Sequence, residues 1–89
     1  MSDLNDKLHK LKLVMDETVT FPTQYVFKFI VPIAEVNKIL FILNGMEIEE
    51  RASAKGNFIS VTARTEMKTS DDIIKIYRMA SGVKGVISL

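Results

Sequence analysis

Phe21-Pro22-Thr23-Gln24-Tyr25-Val26-Phe27-Lys28-Phe29-Ile30-Val31-Pro32 is the stretch that decides the fold. Its interior is rich in β-branched and aromatic residues, and a proline stands near each end, so residues 24–31 read as a strand. Pro22 pushes Phe21 away from helical conformation and cannot donate to a ladder. Side chains alternate across a strand, which puts Tyr25, Phe27, Phe29 and Val31 on one face and Val26, Lys28 and Ile30 on the other. The first set is the more apolar and is expected to meet the core.

Reading onward, Pro32 suits the first turn of a helix, where its missing N–H costs nothing. Ile33, Val36, Leu40 and Leu43 follow at helical spacing, and Asn44-Gly45 supplies a stop. Met46 to Ser53 alternates imperfectly, as a half-exposed strand does, and Ala54-Lys55-Gly56-Asn57 reads as a turn in which Gly56 and Asn57 tolerate positive φ. Phe58 to Glu66 alternates again, with Ile59, Val61 and Ala63 set against Phe58, Ser60, Thr62 and Arg64. Thr69-Ser70-Asp71-Asp72 offers cap hydroxyls and first-turn carboxylates to a helix whose stripe is Ile73, Ile76, Tyr77 and Ala80. Ser81-Gly82 ends it, and Val83 to Leu89 reads as a last short strand. The order β-α-β-β-α-β, with right-handed crossovers, predicts an α+β ferredoxin-like sandwich: a four-stranded antiparallel sheet with both helices on one face.

Reading backward, residues 1–19 have a different texture. Leu4, Leu8, Leu11 and Met15 recur at offsets of four, three and four, forming one helical stripe, with Asp3 placed as its N-cap. A helix laid on the domain, or a partly frayed leader, accounts for such a stripe; a partner-binding helix is the alternative. The chain is thus expected to comprise a helical or flexible leader over 1–19 and a ferredoxin-like domain over 20–89.

At 89 residues the chain is one small domain that buries roughly 60–65% of the surface of its unfolded form. Twelve Lys/Arg against eleven Asp/Glu give a net charge of +1, too weak a field for a nucleic-acid binder that lives on counterion release. Without cysteine there is no disulfide, thiolate metal site or thiol nucleophile. The start of the chain is acidic and polar, and the longest apolar run, Ile39 to Leu43, is far below the ~20 residues a membrane span needs. The cytoplasm is the expected compartment, and no membrane association is expected.

If both helices cover one face of the sheet, the other is open. Alternation assigns Val26, Lys28, Ile30, Ser60, Thr62 and Arg64 to it, joined by Glu49 and Arg51. Such a mixed face suits self-association or docking, whereas a plain solvated face with weak cross-strand ion pairs is the structural alternative. The acidic run Glu47, Glu49 and Glu50 reads as a solvated strand edge that discourages edge-to-edge aggregation.

Phe21-Pro22-Thr23 before an aromatic strand, together with Ser53-Ala54-Lys55-Gly56-Asn57-Phe58-Ile59-Ser60-Val61, resembles the YbeD-like domain-of-unknown-function family of small bacterial proteins over about residues 20–89. The resemblance implies a ferredoxin-like fold similar to that of the amino-acid-binding regulatory ACT domains. It implies no established activity and supplies no functional residues to carry over.

Specific chemistries fare poorly. Lys55-Gly56-Asn57-Phe58 superficially matches the basic-Gly-aromatic motif of RNA-recognition modules, but Lys28, Ser60 and Thr62 on the open face offer no stacking platform, so RNA binding ranks last among the binding functions. A phosphate cradle at the first strand–helix junction would need backbone N–H groups, and Phe29-Ile30-Val31-Pro32-Ile33 has no glycine and a proline instead. His9, the sole histidine, lacks neighbours at ligand spacing, and no nucleophile is paired with a base. No enzyme activity, cofactor or metal is expected. The Lys55-Gly56-Asn57 turn offers a cation and backbone donors to an anion, although a tight hairpin alone demands those residues.

Three functions follow in order. The first is a regulatory or protein-interaction module acting through the open face or edge, as a homodimer or on another protein, with Lys28, Arg51, Lys55, Gly56, Asn57, Phe58, Ser60, Thr62 and Arg64 as its candidate residues. The second is an ACT-like module holding a small-molecule effector at a dimer interface. The third is an RNA-binding module.

Overall fold

Strand β1 (Thr23–Pro32) is the spine of the molecule. In the computed structural model, which describes residues 3–89, it pairs along its whole length with antiparallel β3 (Phe58–Met67), from Thr23 opposite Met67 to Pro32 opposite Phe58. β2 (Glu47–Ala52) lies on the far side of β3, and the two-residue β4 (Ile87–Ser88) lies against Phe29 and Ile30 of β1. The strand order β2-β3-β1-β4, with every neighbour antiparallel, gives the ferredoxin-like sheet.

Period-two burial follows the sequence. Phe27, Phe29 and Val31 of β1 and Val61 and Ala63 of β3 are wholly buried on the helix side. Phe27 and Phe29 stack with centroids 6.2 Å apart, and Tyr77 meets them edge-on at 5.3 and 6.0 Å. The hydroxyls of Tyr25 and Tyr77 are 2.8 Å apart. Burial, reinforced by that bond, pushes the Tyr77 phenol far above its ordinary pKa.

The helical layer contains α1 (Asp3–Thr18), α2 (Val36–Ile42) and α3 (Ser70–Ser81). Met1 and Ser2, the start of the expected leader, lie outside the described residues. α1 contributes Leu8 and Met15 to the common core, as a helix laid on the domain would, and it buries Ile74 of α3 in doing so. Asp3 sits within the first turn of α1 instead of capping it. Ser70, the one buried polar residue among those described, donates to Asp16 Oδ1 at 2.6 Å, and Lys12 Nζ donates to Asp16 Oδ2 at 3.1 Å while reaching Asp71 at 3.2 Å. The Ser70 hydroxyl first, and Lys12 second, hold the Asp16 carboxyl below its usual range. Thr69 is the cap of α3, its hydroxyl accepting from the Asp72 N–H at 3.1 Å.

Further expectations are corrected. Pro32 ends β1 instead of opening a helix, because the ladder persists past it: the Ile33 N–H donates to the Asn57 carbonyl at 3.0 Å. A 3-10 turn (Ile33–Glu35) precedes α2, and its tighter winding throws Ile33 off the buried stripe, which runs through Val36, Ile39, Leu40 and Leu43. The last strand is two residues long, not seven, because Val83 to Gly85 form a turn and Gly85 has φ +76°.

Candidate functional site

No described helix crosses the second face of the sheet, and its side chains form a grid fixed by the strand register. Glu47, Arg64 and Val26 make one row. Glu49, Thr62 and Lys28 make the next, and Arg51, Ser60, Ile30 and Ile87 the third. The twist of the sheet makes its centre a concavity of about 380 Å³, lined by Val26, Lys28, Glu49, Arg51, Ser60, Thr62 and Arg64.

The structure therefore brings together Lys28 from β1, Arg51 from β2, and Ser60, Thr62 and Arg64 from β3. Ser60 and Thr62 form the half-buried floor, Lys28 stands directly beside Thr62, and Arg51 directly beside Ser60. Arg64 reaches Glu49 at 3.7 Å. Lys28 and Arg51 meet no carboxylate at ion-pair distance, and the Ser60 and Thr62 hydroxyls bond to no protein group, among the described residues. Phe58 lies on the same face, at the end of β3 beside Pro32.

Lys55, Gly56 and Asn57 stand apart from this grouping, in the hairpin turn. Gly56 has φ +73° and donates to the Ser53 carbonyl at 2.9 Å, and Ser53 N–H donates to Phe58 O at 2.9 Å. The Asn57 carbonyl accepts from the Ile33 N–H, so the turn explains its own residues and also takes up a backbone donor at the strand–helix junction.

Two features escaped the sequence reading. Ile87, 50% exposed, extends the open face beside Ile30, a placement that depends on the Gly85 turn setting the phase of β4. On the helical side, Phe41 is 83% exposed beside a groove of about 460 Å³ shared with Ile42, Met79 and Val83. The signal for Phe41 was present, since it stood off the predicted stripe of its helix.

A family model described as a protein of unknown function, DUF493, matches residues 16–88. The chain belongs to this family. The match bears out the resemblance seen in the hairpin and the Phe-Pro-Thr lead-in. It starts at the α1 carboxylate that holds Ser70 and ends with β4, so the DUF493 unit includes the whole grid described above. No curated protein and no solved structure matches the chain. Among the described residues no helix is long and apolar enough to cross a membrane.

Proposed function

We propose that this DUF493 chain is a non-catalytic, cytoplasmic interaction module whose working surface is the open face of its sheet. The observation that carries the reading is the pair of cations, Lys28 and Arg51, standing on either side of two free hydroxyls with Val26 exposed beside them. A face that served only as a solvated surface would pair its charges across strands, as Arg64 and Glu49 do. Unpaired cations next to apolar surface supply both the steering and the buried area that docking requires. Neither hydroxyl is hydrogen-bonded to a base, the neighbouring Glu49 carboxylate being directed to Arg64, which favours binding over turnover.

A photo-crosslinking residue introduced at Thr62, with a control at Phe41 on the helical layer, tests this in cells. Adducts are expected from Thr62 and not from Phe41. Equal yields from both positions, or adducts from Phe41 alone, would overturn the reading. An ACT-like effector site at the β1–α2 junction is the less favoured alternative, since Pro32 has no N–H and that of Ile33 is already bonded to Asn57.

A further inference from the structure

The register of the open face lets the partner's chemistry be read in order along the strands. At one end stands Phe58, followed by the row in which Ile30 and Ile87 lie on the β1–β4 side and Ser60 and Arg51 on the β3–β2 side. In the middle, Lys28 and Arg51 flank the Ser60 and Thr62 hydroxyls, and Glu49, beside Thr62, is engaged by Arg64. Strands lie about 4.8 Å apart, so these cations rise from strands roughly 10 Å apart with β3 between them. Toward the other end Glu47 and the exposed Val26 stand on either side of Arg64, and Glu66 lies beyond them opposite Gln24.

From this order we infer that the open face docks an extended protein segment of three-part chemistry: apolar, then acidic, then basic. The inference rests on the docking reading above and names its partner. Each part of the surface selects one part of the segment. Desolvation favours apolar side chains over Ile30, Ile87 and Phe58, and carboxylates over Lys28 and Arg51 gain charge-assisted bonds together with the free hydroxyls. Glu47 and Glu66 would repel a segment that stayed acidic throughout, and they pair with one that ends in lysine or arginine. The same two carboxylates, with Glu49, count against a nucleic acid, whose phosphates repeat at every step; the face carries three carboxylates against the three cations Lys28, Arg51 and Arg64. The concavity is also shallow. Arg64 and Glu49 keep about half of their side-chain surface in water, whereas a site for a small metabolite encloses most of its ligand.

The full chain, labelled with 15N, can be titrated with three probes. The first is a twelve-residue peptide with alternating Val in its first third, alternating Glu in its second and alternating Lys in its last. The second is the same peptide with Glu and Lys exchanged, and the third is a twelve-nucleotide oligouridylate. Only the first is expected to shift the Lys28, Arg51, Ser60 and Thr62 amides, in a salt-sensitive way. Binding should weaken at least tenfold in K28E/R51E and hold in K55E, which alters a cation outside the grid. If K28E/R51E does not fold, K28Q/R51Q replaces it, with the same weakening expected. The inference is overturned by an absence of shifts at millimolar peptide, by equal shifts with the inverted peptide, by insensitivity to both double variants, or by tighter binding of the oligouridylate. Crosslinking at Thr62 together with failure of the peptide would leave a docking face of different chemistry. Failure of both would remove the docking reading itself.

Discussion

Gly85 and Gly45 form a controlled comparison within one chain. Both adopt positive φ, +76° and +89°, and each alanine variant would incur a conformational penalty of about 1 kcal/mol. A Cβ on Gly45 meets open space, whereas on Gly85 it would lie 2.8 Å from Pro32 Cγ. In urea denaturation, Gly85→Ala should therefore lose a further 1 kcal/mol or more relative to Gly45→Ala, since Pro32 has to move. Asp16 carries a pH signature. Its carboxyl is held below the ordinary range when folded, so its stabilisation is complete above the unfolded pKa and drains away as pH falls through the folded one. The Tm difference between wild type and Asp16→Asn should be constant near neutrality and shrink below about pH 4. Legibility at this scale was uneven. The Thr69-Ser70 pair announced a helix cap, but which hydroxyl caps and which turns to Asp16 depends on α1, whose Asp16 is 54 positions away in the chain.

Elements whose pattern is local were readable; those whose phase is set by a distant contact were not. β1 and β3 alternate over ten residues each, so their buried faces followed from period two alone. α2 has only seven residues, and the bond from Ile33 to Asn57 decides where it starts, so its stripe shifted to include Ile39. The amphipathic pattern of α1 was plain, and what remained for the structure to add was the surface it covers. Leu8 and Met15 are buried while Leu13 is 49% exposed, which sets up a test of the element. Leu8→Ala and Met15→Ala should each destabilise the protein by about 2–3 kcal/mol, and Leu13→Ala by less than about 0.5 kcal/mol, in thermal or urea unfolding. Equal effects at all three positions would mean that α1 is not seated as described.

For the molecule as a whole, the open face was legible because one alternation rule assigns every β1 and β3 side chain at once; its charge order was not, since that needs the register between strands. β2 is an edge strand with Glu47 and Glu50 exposed on opposite faces, charges that oppose pairing between molecules. Glu47→Val/Glu50→Val should convert a concentration-independent elution profile into one with larger species as protein concentration rises. The opposite border of the sheet has a different character. β4 meets only Phe29 and Ile30, and Leu89 N–H reaches Lys28 O at 2.9 Å, so the even-numbered residues of β1 turn their peptide groups toward that border. Gln24 and Val26 thus have no strand beside them there among the described residues, while Tyr25 and Phe27 are tied to β3. In deuterated solvent β1 should consequently label like a comb, Gln24 and Val26 within the dead time and Tyr25 and Phe27 only when the whole protein opens.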